Sequence, residues 1–224
     1  NAIKERTCFD SGGGGDVSGL LLRPHNATIC YVLAHGAGAG MTHPFMETMA
    51  HDLAARGVAT LRYQFPYMEK KGRRPDPPKI AKACVRAAVV EAARLAPDLP
   101  LIAGGKSFGG RMTSQAQANE PLPGVRGLAF LGFPLHPVGK PSDTRGEHLA
   151  AVRVPMLFLQ GTRDKLAELK LLRPLCRTLD ATLHEAAEAD HSFHVPARSG
   201  RKDADVRDEI ADAILAWTSQ FPPA

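Results

Sequence analysis

Apolar positions along this chain follow two patterns in alternation. In short runs such as Ile29-Cys30-Tyr31-Val32-Leu33-Ala34 and Val125 to Leu131, nearly every residue is apolar, as a strand covered on both faces requires. Between such runs, apolar residues recur every three or four positions, the spacing of one helix face. Phe45, Met49 and Leu53 mark the first helix; Pro44 suits its first turn, where a missing N–H does no harm, and Gly57 fits its end. Val58 to Tyr63 reads as the next strand. A long helix is predicted over 76–95, with Ile80, Cys84, Ala87 and Ala88 facing inward and Pro97 and Pro100 bounding its exit.

The alternation continues to the end of the chain. Leu101 to Ala103 is a short buried strand, Met112 to Ala118 lie on a helix, and Val125 to Leu131 and Val154 to Leu159 are strands. A helix over 166–179 is expected to be interrupted near Pro174, Thr182 to Ala186 reads as an edge strand, and Val206, Ile210, Ile214 and Trp217 define a closing amphipathic helix. Near the start, Gly12 to Gly15 form a flexible turn between two early strands. Strands alternating with helices imply one α/β domain over residues 1–224, with a mostly parallel central sheet and helices on both faces. In such sheets chemistry is sought beyond the carboxyl ends of the strands.

Composition narrows the class. The 224 residues, 44% hydrophobic and 23% charged, suit one globular domain with a substantial core. No apolar run approaches the roughly 20 residues of a membrane span, and no charged start with an apolar stretch suggests a signal peptide. Neither membrane nor nucleic-acid partners are expected. The net charge of +5 is spread out, and its densest patch, Lys70, Lys71, Arg73 and Arg74, has no interleaved aromatics. That patch reads as a solvated loop, with attraction of anionic substrates as the alternative. Cys8, Cys30, Cys84 and Cys176 form no C-x-x-C pair and no zinc-ligand spacing, so buried free thiols, no metal and a reducing cytoplasm are the default expectations.

Candidate chemistry lies directly after the predicted strands. Leu101 to Ala103 leads into Gly104-Gly105-Lys106-Ser107-Phe108-Gly109-Gly110 and then a helix, the G-x-S-x-G arrangement between strand and helix. Small neighbours at Gly105 and Gly109 let strand and helix pass closely, so that Ser107 is presented at the sheet edge beside the positive end of the helix. Gly105-Lys106-Ser107 also matches the end of a phosphate-binding loop, but Pro100 stands where that motif requires glycine. The strand ending at Gly132 also lacks the magnesium-holding aspartate of nucleotide-binding sites.

A serine hydroxyl needs a base. Asp190-His191-Ser192-Phe193-His194 follows the last strand, making His191 the candidate, with His194 the alternative; His184, inside a strand, reads as structural. His25, His43, His51, His136 and His148 lack this placement. The histidine needs an orienting acid. Asp164, after the strand 154–159, is the candidate, with Asp143 as the main rival; Asp190 adjoins His191, and an immediate neighbour has difficulty reaching the ring from the correct side. An oxyanion hole requires backbone donors. The N–H of Phe108 is one; Ala37 in the loop Ala34-His35-Gly36-Ala37-Gly38-Ala39-Gly40 is the other, with Gly38 its alternative and His35 bracing the loop.

Four pieces in this order have a familial likeness. His35-Gly36-Ala37-Gly38, Gly105-Lys106-Ser107-Phe108-Gly109-Gly110-Arg111, Gly161-Thr162-Arg163-Asp164 and Asp190-His191-Ser192-Phe193 together resemble the α/β-hydrolase superfamily. Within it the chain is similar to the small lidless branch related to dienelactone hydrolases, and most of all to bacterial relatives of the hydrolase-like domain of a vertebrate chromatin-complex subunit. The resemblance runs from about Ser18 to Trp217. It implies a Ser-Asp-His triad at Ser107, Asp164 and His191, an α/β-hydrolase fold with little or no lid, and no cofactor. It supplies no substrate, and the serine in place of the cysteine of dienelactone hydrolases proper speaks against dienelactone turnover.

The expected reaction is hydrolysis of a small-molecule carboxylic ester or thioester through an acyl-enzyme. Phe133, Leu135 and Phe108 are expected to form an apolar acyl wall in a shallow, open site, with Tyr67 contributing from the segment 64–79; the plainer reading is that these residues cover the core. A catalytically silent hydrolase-fold binding or scaffold protein is the alternative function, and a peptidase or acyltransferase on the same triad a third. Oligomeric state is not legible.

Overall fold

A computed structural model describes residues 2–222. Eight strands form one sheet: β1 (Ala2–Asp10), β2 (Asp16–Pro24), β3 (Ile29–Ala34), β4 (Val58–Tyr63), β5 (Leu101–Lys106), β6 (Val125–Leu131), β7 (Met156–Gly161) and β8 (Thr182–Ala186). Their spatial order is β1-β2-β4-β3-β5-β6-β7-β8. β1 and β2 form a hairpin, β2 runs antiparallel to β4, and every pair from β4 to β8 is parallel.

The continuous apolar runs become central strands because each sends alternate residues into two separate cores. On β3, Cys30, Val32 and Ala34 join one core and Ile29, Tyr31 and Leu33 the other. On β7, Met156 and Phe158 face one side and Leu157 and Leu159 the opposite. Helices α1 (Pro44–Ala54) and α6 (Asp203–Thr218) cover the second core, with Met46, Met49 and Leu53 packing with Ile210 and Ile214. Helices α2 (Pro66–Glu69), α3 (Pro78–Leu95), α4 (Phe108–Asn119) and α5 (Leu169–Thr178) cover the first, through residues such as Tyr67, Val85, Met112 and Leu172.

This arrangement places a switch point at the middle of the sheet. The chain leaves β3 through α1 on one face to reach β4, and leaves β5 through α4 on the other face to reach β6. The carboxyl ends of β3 and β5 therefore open between diverging connections, where open α/β sheets bind ligands.

Several boundaries differ from the sequence pattern for local reasons. α3 starts at Pro78, not at residue 76, because Asp76 accepts a hydrogen bond from the Tyr67 N–H at 2.9 Å and belongs to the preceding loop. β5 continues past Ala103 through Gly104 and Gly105, paired on both sides to β3 and β6. β7 spans Met156–Gly161, two residues later than expected at each end. α5 starts only at Leu169, because residues 164–167 form a turn in which Asp164 Oδ1 accepts from the Leu166 N–H at 2.8 Å. Pro174 does not interrupt α5, which remains helical to Thr178 despite the missing backbone donor. Of the four cysteines, Cys30, Cys84 and Cys176 are buried and free as expected, but Cys8, on the edge strand β1, is exposed. No helix among the described residues is long and apolar enough to cross a membrane.

The first core is anchored by aromatic rings: Phe130 lies 4.8 Å from Phe158 and 5.3 Å from Phe133, centroid to centroid, and all three are fully buried. Phe130→Ala is expected to destabilise the protein by about 3–5 kcal/mol. Val90→Ala, on the exposed face of α3, should shift stability by less than about 0.5 kcal/mol. Denaturant titrations of the two variants at equal slope check the contrast.

Candidate active site

Ser107 occupies the junction of β5 and α4 with φ 49° and ψ −117°, a left-handed conformation that non-glycine residues rarely adopt. Two glycines permit the turn. A Cβ at Gly105 would collide with the Ala34 carbonyl on β3, and one at Gly109 with the His35 carbonyl. Glycine at both positions lets β5 and α4 press against the end of β3.

His191 follows β8 in a tight turn. Asp190 Oδ1 accepts from the backbone N–H groups of Ser192 and His194, and Phe193, at φ 60°, is buried in the second core. This turn brings His191 Nε2 to 2.8 Å from Ser107 Oγ and Nδ1 to 2.7 Å from Asp164 Oδ2. A carboxylate can only accept, so Nδ1 carries the proton and Nε2 is left to accept from the serine hydroxyl.

Asp164 has no side-chain exposure and is fully partnered. Besides His191, it receives the Leu166 N–H on Oδ1 and the Gln160 amide at 2.5 Å on Oδ2. Gln160 is itself buried on β7, and its Oε1 accepts from the Phe133 N–H at 3.1 Å. The structure therefore brings Ser107, His191 and Asp164 together and leaves the other candidates apart. Asp190 is used in its own turn, the exposed His194 pairs with Asp203 at 2.8 Å, and His184 pairs with Glu209 at 2.7 Å. Burial pushes the Cys30 and Cys176 thiols up to about 12, which makes them poor competing nucleophiles.

The loop after β3 is held from behind. His35 is buried; its Nε2 accepts from the Phe65 N–H at 3.0 Å, so Nδ1 carries the proton and donates to the Gly36 carbonyl at 2.8 Å. Tyr67 Oη accepts from the Gly38 N–H at 3.3 Å, which engages the alternative oxyanion donor. Ala37 borders the cleft, and its N–H meets no protein acceptor among the described residues. The Phe108 N–H is the first amide of α4, a position with no intrahelical acceptor.

The cleft beside Ser107 has a volume of about 450 Å³. Its walls are the loop from Gly36 to Ala39, the start of α1 with His43, Phe45 and Met46, Leu166, and the Lys106-Ser107 and His191-Ser192 pairs. Its apolar side thus comes from α1 and Leu166, not from the residues expected. Phe133 and Leu135 are fully buried and line no part of it. Gly132, at φ 70°, turns the chain inward after β6, and Phe133 packs 5.6 Å from Phe158. Tyr67 likewise lies beneath the loop it supports, with 5% exposure. The basic stretch 70–74 does not border the cleft. In place of a helical lid, a 3-10 segment over Thr144–Ala151 lies against α4, tied by His148 Nε2 to Ser114 Oγ at 2.7 Å.

A hollow of about 540 Å³ opens elsewhere, between the start of β3, residues 98–100 and the end of α6. Its one titratable group, Asp98, is paired with Arg23, so it offers no chemistry comparable to the cleft. Among the described residues, no group of three or more His, Cys, Asp or Glu side chains is placed to hold a metal ion.

A mostly parallel sheet with a serine at the sharp turn after its central strand and a histidine in the loop after a later one defines a hydrolase architecture of the α/β class. The chain belongs to that family: residues 27–219 match the model of the alpha/beta hydrolase domain. Its fold is that of small lidless members. Dienelactone hydrolase from Anabaena variabilis superposes with a TM-score of 0.74 at 20% identity, covering 98% of both chains. An α/β serine hydrolase without a lid from Xanthomonas campestris gives 0.73 at 19% identity over 96% of this chain and 94% of that one. An α/β serine hydrolase homologue from Coxiella burnetii gives 0.73 at 18% identity over 93% and 96%.

The buried His35 ring is a pH-sensitive support for the loop. Burial lowers its pKa from 6.5 to about 4, so protonation opposes folding. The stability that its neutral form contributes is complete above about pH 6.5 and is lost as pH falls toward 4. His148, lowered to about 4 by burial and the nearby Arg111, acts in the same direction. His35→Gln is expected to reduce the loss of stability between neutral pH and pH 4, measured as the shift in denaturant midpoint; an unchanged slope would contradict the assignment.

Proposed function

We propose that this protein is a serine hydrolase that cleaves a carboxylic ester or thioester of a small-molecule substrate through an acyl-enzyme. The observation that carries the reading is the pair of hydrogen bonds linking Ser107 Oγ, His191 and the buried Asp164 at 2.8 and 2.7 Å. Membership of the α/β-hydrolase family supports it.

In this scheme the substrate carbonyl lies in the cleft, its oxygen directed at the backbone N–H groups of Phe108 and Ala37. Ser107 Oγ attacks the carbonyl carbon while its proton passes to His191 Nε2. Asp164 holds the ring in the correct tautomer and stabilises the imidazolium that forms. The tetrahedral oxyanion is stabilised by the two amides, one of them at the positive end of α4. Collapse expels the alcohol or thiol, which takes the proton from His191. Water, deprotonated by the same ring, then attacks the acyl-enzyme and regenerates Ser107. The acyl group or the leaving group contacts Phe45, Met46 and Leu166, the apolar side of the cleft.

Ser107→Ala is expected to lower hydrolysis of p-nitrophenyl acetate and butyrate by about 10³-fold or more, and to abolish labelling by a fluorophosphonate. Equal near-background rates in both proteins, together with no labelling of the wild type, would overturn the proposal in favour of a catalytically silent binding protein.

A further inference from the structure

The acyl-transfer scheme makes no use of the amine next to the nucleophile. Lys106 immediately precedes Ser107 and borders the same cleft. Its stem runs along the loop after β3: a Cβ placed on Gly36 would stand 3.5 Å from Lys106 Cγ. The head then passes under the His191 turn. Nζ donates to the backbone carbonyl of His191 at 2.6 Å and lies 5.5 Å from the centre of the Phe193 ring. One side chain therefore ties the nucleophile turn on which it stands to the turn bearing His191, and passes beside the loop bearing Ala37.

Its surroundings suit a tether better than an ion pair. The His191 carbonyl is the one hydrogen-bond acceptor that Nζ meets among the described residues. The charged groups acting on it at longer range are Asp164, from the loop after β7, and Asp190, from the turn after β8; both favour the ammonium. Burial opposes them and prevails, lowering the amine from 10.5 to about 8. At neutral pH the group is still mainly an ammonium, and its bond to the carbonyl is charge-assisted, the stronger kind.

We propose that Lys106 is a positioning residue, whose ammonium clamps the His191 backbone to the nucleophile turn and so holds the imidazole in line with Ser107 Oγ. This rests on the triad reading above. A small displacement of a base from its hydrogen-bonded position lowers rate far more than it lowers substrate affinity. The effect therefore belongs in kcat. The clamp weakens where the ammonium loses its proton, so kcat should decline as pH rises through about 8.

The test is steady-state hydrolysis of p-nitrophenyl butyrate by wild type, Ser107→Ala, Lys106→Met and Lys106→Arg, from about one pH unit below 8 to one above, with spontaneous hydrolysis subtracted. Lys106→Met is expected to lose about 10- to 100-fold in kcat at neutral pH, with KM within about twofold. Lys106→Arg, which stays charged throughout, is expected to recover most of the loss and to lack the decline that the wild type shows through about pH 8. Should Lys106→Met fail to fold, the comparison of wild type with Lys106→Arg across the same range carries the test. A Lys106→Met enzyme with wild-type kcat, or a wild type with no alkaline decline, would overturn the inference while leaving the triad intact. Absence of any Ser107-dependent turnover in the wild type would overturn the triad reading and this inference with it.

Discussion

A Cβ at residue 105 would overlap the carbonyl of Ala34, and one at residue 109 the carbonyl of His35. That single close approach, of β5 and α4 onto the end of β3, sets the geometry of the rest of the site. It forces the backbone between the two glycines through a turn so sharp that Ser107 must take a positive φ. A non-glycine residue held there stores on the order of 1–3 kcal/mol of strain, which the surrounding packing must outweigh. The support is visible: the Ser107 N–H donates to the Leu131 carbonyl of β6 at 3.0 Å, and its own carbonyl accepts from the Arg111 N–H within α4. The strain is local, while the restraint is distributed over three strands and a helix.

Around that turn, two buried polar side chains at the carboxyl ends of strands, His35 after β3 and Gln160 on β7, are each hydrogen-bonded on two sides. Gln160 satisfies Asp164 and the Phe133 N–H together. His35 satisfies Phe65 and Gly36. Each is a buried polar side chain that joins a local partner to an element distant in sequence, and leaving one bond unmade would cost more than the bond itself contributes. These residues therefore act on the geometry of the site through its rigidity. They also explain why an open cleft with no helical lid can keep Ser107, His191 and Asp164 in register.

The apolar wall of the cleft shows where pattern reading falls short. Phe133 and Leu135 follow the strand after α4, in the segment that would carry a lid, and large apolar residues there suggest a substrate surface. The chain instead turns at Gly132 and drives both side chains into the core, where Phe133 joins Phe130 and Phe158. Phe45, Met46 and Leu166 take that place. Phe45 and Met46 belong to α1, whose apolar spacing marked it as a packing helix. Its first turn happens to project beyond the sheet, where Phe45 stacks on Phe193 at 5.9 Å and borders the cleft. Periodicity identifies which face of a helix is apolar, but it does not say where along its length the core ends and a cavity begins.

The linear sequence by itself determined the alternation of strands and helices, the two-faced central strands, and the positions of Ser107, Asp164 and His191 after β5, β7 and β8. Those features rest on local rules: hydrophobic period, glycine where backbones crowd, and loops at strand ends. It also marked His35 as a brace of the loop after β3. Only the tertiary structure decided the strand order, and with it the crevice between β3 and β5. The same holds for Gln160 and Lys106, whose partners lie 27 and 85 residues away in sequence, and for the continuity of α5 through Pro174. Each depends on which non-neighbouring groups meet when the sheet assembles, and a hydrogen bond between distant residues leaves no period or spacing in the chain to read.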